Sequence, residues 1–285
     1  MLGRLRTYAS FVRFSHSVFA LPFALAGALL ASRLVSFSWE RAGWIVLCMV
    51  SARSAAMGFN RLVDAEFDGR NPRTASRELP RGVMSRFEAI TFVVVASAVF
   101  VACAAMLGRW PLVLSPVALA IVFWYSLAKR VSTYTQLFLG LAMAVAPVGG
   151  WIAMGADPLR AEPWWLALAI GSWVAGFDVL YACQDLEFDR REGLRSIPVR
   201  FGVDASLTIS RALHVVTVMA LVAVGVSAGL GRIYYLGVVL VAGLLVFEQS
   251  LVRGDDLSQV KRAFDLNAWV GILYFAAMLL DVWAA

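Results

Sequence analysis

Residues 42–68 read AGWIVLCMVSARSAAMGFNRLVDAEFD, an apolar run that passes directly into a group of acidic residues. Its apolar part, residues 42–60, contains one charged side chain, Arg53. About 20 consecutive apolar residues are enough to cross a bilayer as a helix. The stretch therefore predicts a transmembrane helix that carries carboxylates where it leaves the membrane.

Apolar runs of this kind recur along the chain. It has 285 residues, of which 61% are hydrophobic, whereas a soluble domain is roughly 45–50% apolar. We predict an all-α membrane protein with nine transmembrane helices in one bundle, a polar cavity that faces the cytoplasm, and a single domain over residues 1–285. The predicted spans are 15–35, 42–60, 88–107, 110–128, 134–154, 164–184, 207–229, 233–252 and 264–283.

Glycine and proline residues mark the predicted turns and close contacts. Gly108 lies in a tight turn between the third and fourth spans, and Gly229 lies in another between the seventh and eighth. The stretch Pro147-Val148-Gly149-Gly150 lies inside the fifth span. In a membrane helix, such residues allow close packing of a neighbouring helix or a kink.

The distribution of Lys and Arg predicts the orientation of the bundle. With the N-terminus inside the cell, 19 of the 25 Lys and Arg residues fall on the cytoplasmic side, five fall outside, and Arg53 lies within a span. This is the positive-inside asymmetry of multi-pass membrane proteins. Residues 1–15 lead into a full-length span, so we expect no cleavable signal peptide. The net charge of +6 suits loops that face anionic lipid and anionic substrate, so the lipid bilayer is an expected partner and nucleic acid is not.

The acidic motif occurs twice, at the cytoplasmic ends of two predicted spans. Residues 64–68 and 185–189 both read D-x-E-F-D. Side chains four residues apart share a helix face, so the two aspartates of each copy project together. These are Asp64 with Asp68 and Asp185 with Asp189, preceded on the same faces by Asn60 and Tyr181. If the two helices face each other, the four carboxylates converge on one spot.

Converging carboxylates repel one another unless divalent cations lie between them. Hard oxygen ligands favour Mg²⁺, which commonly completes its shell with water and substrate phosphate. Basic residues surround the same end of the bundle, and this mixture of charges suits a metal–diphosphate ligand. The candidate diphosphate-binding residues are Arg61, Arg73, Arg77, Lys129 and Arg130. The cysteines lack metal-ligand spacing and the two histidines stand alone, so no metal site of Cys or His is expected.

Together these residues resemble the UbiA superfamily of intramembrane prenyltransferases. The resemblance rests on the N-R-x-x-D-x-x-x-D motif from Asn60 to Asp68, the second motif from Asp185 to Asp189, and the nine predicted helices. It covers most of the chain. Within the superfamily, the chain is similar to the 4-hydroxybenzoate polyprenyltransferase group, especially to a bacterial branch that prenylates a hydroxynaphthoate for menaquinone.

The resemblance implies an enzyme that uses Mg²⁺ to transfer a polyprenyl group from polyprenyl diphosphate to an aromatic acid. The implied acceptor is 4-hydroxybenzoate or a dihydroxynaphthoate, in ubiquinone or menaquinone biosynthesis. The implied location is the bacterial inner membrane, with the active site on the cytoplasmic side. The implied catalytic and metal-site residues are Asp64, Asp68, Asp185 and Asp189, with Asn60 assisting.

Polar residues inside the spans are further candidates for substrate binding. Arginine inside a membrane is costly and usually lines a polar cavity. Arg53 either binds the carboxylate of the acceptor or pairs with Asp178, and these alternatives stay open. Asp68 and Asp178 are alternatives for polarising the acceptor hydroxyl. Aromatic faces can steady an allyl cation, and the candidates are Phe14, Phe19, Phe59, Trp124 and Tyr125.

A polytopic membrane transporter is the alternative function. Carriers also contain intramembrane charges and internal repeats, but their sites tend to lie near the middle of the bilayer, between broken helices. Here the charges cluster at helix ends, in two matching motifs. This position favours an enzyme that handles a diphosphate at the membrane surface.

Overall fold

The computed structural model of the protein describes residues 2–12 and 17–284. That part of the chain forms α-helices and no β-strand. The helices are α1 (Leu2–Phe11), α2 (Ser17–Ala31), α3 (Trp39–Arg70), α4 (Arg86–Leu107), α5 (Arg109–Val131), α6 (Thr135–Ala153), α7 (Glu162–Ala182), α8 (Leu186–Arg191), α9 (Ile197–Phe201), α10 (Val203–Ala228), α11 (Arg232–Ser250) and α12 (Val260–Ala284). A single 3-10 turn, Cys183–Asp185, lies between α7 and α8.

Eight segments of the described chain are long and apolar enough to cross a membrane. They are α3, α4, α5, α6, α7 with its extension to Arg191, α10, α11 and α12. The protein is therefore a multi-pass membrane protein. The first predicted span, 15–35, corresponds to α2, which has 15 residues and is shorter than these eight. A ninth span stays a prediction.

The first acidic motif lies on a helix that continues past the apolar run. Helix α3 extends to Arg70, ten residues beyond the predicted end of its span. Proline at position 72 has no N–H for a helix and disfavours helical geometry at the preceding residue, so the helix ends there. Arg61, Asp64 and Asp68 lie among the buried residues of α3. The predicted common face of the two aspartates is confirmed.

The second motif has a different backbone. Helix α7 ends at Ala182, and Asp185 lies in the 3-10 turn with φ −97° and ψ 8° before α8 begins at Leu186. The second pair of aspartates therefore does not lie on one uninterrupted helix, contrary to the prediction. The turn tightens the chain between Tyr181 and Asp189, and it places Asp185 at the junction of two helices. We call the end of the bundle formed by residues 60–85 and 181–202 the motif end, and the opposite end the far end.

Helix α7 forms the centre of the bundle. It packs chiefly against α10 and α6, and 61% of its apolar window is buried, compared with 17–39% for the other seven spans. The main hydrophobic core surrounds it and includes Trp151, Leu166 and Tyr234. Most of α7 is therefore enclosed by other helices, although Trp164 and Trp165 near the far end are exposed.

The predicted turns are confirmed. Gly108 separates α4 from α5 with φ +119°, and Gly229 follows α10 with φ +60°. Positive φ is accessible to glycine at little cost, because glycine lacks a Cβ. The chain therefore reverses sharply at the far end at both places.

Gly150 is the residue of the 147–150 stretch that allows close helix packing. A Cβ at Gly150 would lie well inside van der Waals contact with the carbonyl oxygen of Ala24 in α2. The reciprocal approach is made by Gly27, whose added Cβ would overlap the carbonyl oxygen of Pro147. A Cβ at Gly149 would meet nothing within 4 Å. The predicted close packing is thus real, and it joins α2 to α6.

Substitution of the two adjacent glycines tests this contact. We expect Gly150→Ala to destabilise the folded protein by about 1–3 kcal/mol, the usual cost of overpacking. Gly149→Ala is the matched control and should leave stability unchanged or slightly increase it, because alanine favours helix. Unfolding of both variants in detergent, followed by circular dichroism, measures the difference. Equal stability of the two variants would contradict the close contact between α2 and α6.

Candidate active site

The first aspartate of the first motif is buried and surrounded by nitrogen donors. Asp64 is only 4% exposed. Its Oδ2 accepts a hydrogen bond from Lys129 Nζ at 2.7 Å and from Asn60 Nδ2 at 3.3 Å, and its Oδ1 accepts from Arg130 Nη2 at 3.1 Å. A buried carboxylate is stable only when such partners replace water. The end of α5 and the end of α3 are therefore joined through this one carboxylate.

The second aspartate of the first motif is held by the loop that follows it. Both carboxylate oxygens of Asp68 accept from Arg77 Nη1 at 2.7 Å. The loop turns back because Asn71 Oδ1 accepts from the Arg73 backbone N–H at 3.0 Å and Thr74 Oγ1 donates to the Asp68 carbonyl at 3.0 Å. Short side chains that bond to nearby backbone favour such turns. The turn returns Arg73 and Arg77 toward the carboxylates.

Arg73 connects the two motifs. Its Nε and Nη2 donate to Oδ1 and Oδ2 of Asp185 at 3.2 and 2.6 Å, and its Nη1 donates to the Tyr181 hydroxyl at 3.0 Å. Burial alone would lower the pKa of the Arg73 guanidinium, but Asp185 and Tyr181 raise the pKa above its usual value. Arg73 therefore stays cationic. This bidentate pair is the geometry for which arginine is suited.

Further bonds fix the loops at the motif end. Arg70 Nη1 donates to Glu192 Oε2 at 2.6 Å, and the Arg195 backbone N–H donates to the Lys129 carbonyl at 2.8 Å. Asp189 lies within electrostatic range of Asp185, Lys129 and Arg73. The structure thus brings both motifs and the end of α5 together at one site.

The deeper predicted residues surround Tyr125. The Tyr125 phenol lies within electrostatic range of Arg53, Asp64 and Asp178. Arg53 forms no ion pair with Asp178 in the described part of the chain, so that one of the two alternatives is wrong. Arg53 lies seven residues before Asn60 and Asp178 lies seven before Asp185. This equal spacing predicts a similar depth for the two side chains, but not that they point toward each other. The Nε of Arg53 is buried and has no hydrogen-bond partner among the described residues.

The structure places the other predicted residues in different surroundings. Arg61 is buried on the same face of α3 as the two aspartates. Phe59 packs on Phe123 with ring centroids 4.6 Å apart. Trp124 is 46% exposed and lines an apolar groove between α5 and α6, and no residue of either aspartate motif is among the lining residues of that groove. Phe14 and the side chain of Phe19 lie outside the described residues.

Phe67 was missed as a site residue. Arg70, Arg130 and Lys129 place their cationic groups 5.3, 5.5 and 5.8 Å from its ring centroid. Aromatic faces attract cations at this range. The sequence signal was the phenylalanine that both copies of the motif contain. In the second copy, Phe188 likewise has the guanidinium of Arg191 5.8 Å from its ring centroid.

The possible metal ligands of the site are oxygen atoms, and they occur in pairs. Among the residues that the structure describes, no group of three or more Asp, Glu, His or Cys side chains lies close enough to enclose a metal ion. The carboxylates thus do not converge as predicted, because three of the four are drawn to their own cations. All the donors are carboxylate and amide oxygens, which are the ligands that Mg²⁺ takes. In chemical type, Asp64, Asp68, Asp185, Asp189 and Asn60 fit this ion.

Comparison with known proteins identifies the family. The model of the UbiA prenyltransferase family matches residues 20–279. A 4-hydroxybenzoate octaprenyltransferase of Alkalilimnicola ehrlichii is 34% identical over 242 residues, which cover 83% of this chain and 80% of that protein. The apo structure of a UbiA homologue from Aeropyrum pernix K1 superposes with a TM-score of 0.87 at 36% identity, covering 94% of this chain and 98% of that one.

A second solved structure has the same fold at lower identity. It is a UbiA homologue from Archaeoglobus fulgidus bound to GPP and Mg²⁺, with a TM-score of 0.69 at 22% identity, covering 96% of this chain and 99% of that one. These matches decide between the two functions weighed from the sequence, because they lie among enzymes and not among transporters. The chain belongs to the UbiA prenyltransferase family.

Proposed function

We propose that this prenyltransferase transfers a polyprenyl group from polyprenyl diphosphate to an aromatic acid, with Mg²⁺ bound by the two aspartate motifs. The observation that carries the proposal is the alternation of carboxylates and cations at the motif end. Asp64 is paired with Lys129 and Arg130, Asp68 with Arg77, and Asp185 with Arg73. This alternation supports a ligand that carries both kinds of charge, as a metal–diphosphate does.

Charge balance explains why this set suits that ligand. Four carboxylates and the four cations named above cancel formally, so the site is stable by itself inside an apolar bundle. A Mg²⁺–diphosphate offers positive charge to the carboxylates and phosphate oxygens to the arginines and the lysine. Asp64, Asp68 and Asp185 would each exchange a cation for the metal, and Asp189, which has no ion pair among the described residues, would gain a partner. The Archaeoglobus homologue that binds GPP and Mg²⁺ supports this assignment.

The chemistry follows from the position of the charges. When bound, Mg²⁺ neutralises the diphosphate and so stabilises it as a leaving group when the allylic C–O bond breaks. Arg73, Arg77 and Lys129 would bind the departing diphosphate from the side of the loops. The rings of Tyr125 and Tyr181 face the same interior, and aromatic faces stabilise an allyl cation. The apolar bundle excludes the water that would otherwise capture that cation.

The residues around Tyr125 suit the aromatic acid. A buried arginine Nε without a protein partner is a donor for a substrate carboxylate, and Arg53 provides it. Asp68 is held on both oxygens by Arg77, whereas Asp178 has no ion pair among the described residues. Asp178 is thus the better of the two alternatives for accepting the proton of the acceptor hydroxyl. The ring is then more electron-rich, attacks the allyl cation and loses its ring proton to restore aromaticity.

We further propose the finer features of this function. The acceptor is 4-hydroxybenzoate, as the names of the curated relatives suggest. A dihydroxynaphthoate is the second aromatic acid to test. The bundle has nine spans, including α2, and lies in the bacterial inner membrane with the N-terminus and the motif end in the cytoplasm. The excess of Lys and Arg at the motif end supports this orientation.

The proposed activity is tested directly with purified protein. In detergent, with a polyprenyl diphosphate and Mg²⁺, we expect a prenylated 4-hydroxybenzoate that mass spectrometry detects. EDTA should abolish the product and added Mg²⁺ should restore it. Asp64→Asn should lower kcat/KM by on the order of 10²-fold or more, because it weakens charge stabilisation at the leaving group. Glu66→Gln is the matched control, since Glu66 lies in the same motif but is exposed. Product formation that persists in EDTA would contradict the metal role.

Arg73 should control the binding of the diphosphate donor. We expect Arg73→Gln to lower kcat/KM for the polyprenyl diphosphate by roughly 10- to 100-fold, the effect of losing a charge-assisted hydrogen bond to the diphosphate. Arg86→Gln is the control, because Arg86 lies near the same loop and pairs with Glu66 at the surface. Steady-state kinetics with the donor varied gives the result. An unchanged KM and kcat in Arg73→Gln would exclude Arg73 from the donor site.

Arg53 should recognise the charge of the acceptor. The wild-type protein is expected to prefer 4-hydroxybenzoate to the uncharged 4-hydroxybenzamide by about 10- to 100-fold, the effect of one charge-assisted hydrogen bond. Arg53→Gln should react more slowly with 4-hydroxybenzoate but not with 4-hydroxybenzamide, so the preference should be lost. Competition between the two acceptors in one tube measures the ratio. A preference that survives in Arg53→Gln would place the acceptor carboxylate elsewhere.

A further inference from the structure

One face of α7 continues from the second motif into the apolar interior. Asp185, Tyr181, Phe177 and Trp173 are spaced four residues apart along the chain. Tyr181 and Trp173 are therefore separated by roughly 12 Å along the helix axis. Phe177 packs against the main hydrophobic core and Tyr181 against a second buried cluster, and both side chains are only half-buried.

Aromatic rings from two other helices complete this face. Phe264 of α12 packs on Tyr181 and Phe177 with centroid separations of 4.7 and 5.5 Å. Trp173 contacts Phe177 at 5.4 Å and Phe23 of α2 at 5.0 Å. We call these five rings the aromatic row. It begins beside Arg73 and Asp185 and leads away from the charged site toward the middle of the bundle.

Trp173 is fixed by two buried polar side chains. Its Nε1 donates to Asn267 Oδ1 at 2.7 Å, and Asn267 Nδ2 donates to Glu248 Oε1 at 3.2 Å. Asn267 and Glu248 are each 1% exposed. The second oxygen of Glu248 has no hydrogen-bond partner in the described part of the chain. Burying an acid and an amide between membrane helices is costly, and polar groups there are usually functional.

The same amide also governs the position of Phe264. Asn267 Nδ2 lies 3.2 Å from the carbonyl oxygen of Phe264 and 3.3 Å from that of Ala263, in the preceding turn of α12. One side chain thus joins α7, α11 and the first turns of α12. It sets the ring of Phe264 against Tyr181 at one end of the aromatic row and holds Trp173 at the other.

We propose that Asn267 and Glu248 are positioning residues that hold the aromatic row in shape for long prenyl chains, and that Trp173 is the specificity-determining residue that they hold. The proposal rests on the proposed function, since it assumes that a prenyl chain extends from the diphosphate site. A short chain lies against Tyr181 and Phe177 alone. Trp173 and Phe23 are 3% and 2% exposed and form the closed inner end of the row. A longer chain reaches this end, so only the longer donor depends on how the indole is held.

The test compares donors of two lengths in the full-length protein. With geranyl diphosphate and geranylgeranyl diphosphate as donors, we expect Asn267→Leu to raise KM for the longer donor about tenfold, the effect of roughly one lost buried hydrogen bond. The KM for the shorter donor and the kcat for both should stay close to wild type. Glu248→Leu should act in the same direction. Glu248→Gln should behave as wild type, because its amide oxygen still accepts from Asn267.

Thr217→Val is the matched control for general damage. Thr217 in α10 shares a buried hydrogen bond of 2.9 Å with Ser172, the residue next to Trp173, and its hydroxyl also bonds to the Leu213 carbonyl at 3.0 Å. It should lower thermal stability without changing the ratio of the two donors. A loss in Asn267→Leu or Glu248→Leu that is equal for both donors, or no loss in either variant, would overturn the proposal. Absence of product with any donor in the wild type would instead overturn the proposed function.

Discussion

Compensation of buried carboxylates is the constraint on which the motif end depends. Asp64 and Asp68 are 4% and 7% exposed, and the apolar bundle beside them cannot replace the water that they lose. Transfer of an unpaired charge into such surroundings costs several kcal/mol per ion. The cations that meet this cost come from the end of α5 and from the loop after α3. The charges of the site therefore decide how these segments meet. The charged groups that are proposed to bind the ligand also hold the segments together.

Sequence spacing predicted what is local to one helix. The face shared by Asp64 and Asp68, the glycine turns and the close packing at Gly150 all follow from helical periodicity or from a missing Cβ. The 3-10 turn at Asp185 did not follow, because both motifs have the same D-x-E-F-D pattern. The pairing of Arg53 with Asp178 failed because a spacing fixes depth and not direction. Contacts between helices, such as Phe264 on Tyr181, left no pattern in the sequence.

Two arginines at the far end bond to different groups from those at the motif end. Arg41 donates to the carbonyl of Ala153, the last residue of α6, at 2.9 Å, and Arg33 donates to the carbonyl of Gly229, just after α10, at 3.4 Å. Unpaired carbonyls and the negative end of the dipole at a helix carboxyl terminus favour such cations. At the motif end the arginines pair with carboxylates, and in the proposed function a ligand would replace these pairs. The same residue type therefore bonds to helix carbonyls at one end and to carboxylates at the other.

Helix α7 connects the charged site at the motif end with the aromatic rings in the interior of the bundle. Tyr181 near its motif end contacts Arg73, and Phe177 and Trp173 follow at intervals of four residues along the most buried helix. In the proposed reaction, this rigid helix would keep the place where the allylic bond breaks at a constant distance from the rings along the prenyl chain. A flexible loop with the same side chains would not keep this distance constant. Because a carbocation reacts with whatever lies nearest, fixed geometry favours the aromatic acid over water and over the protein itself.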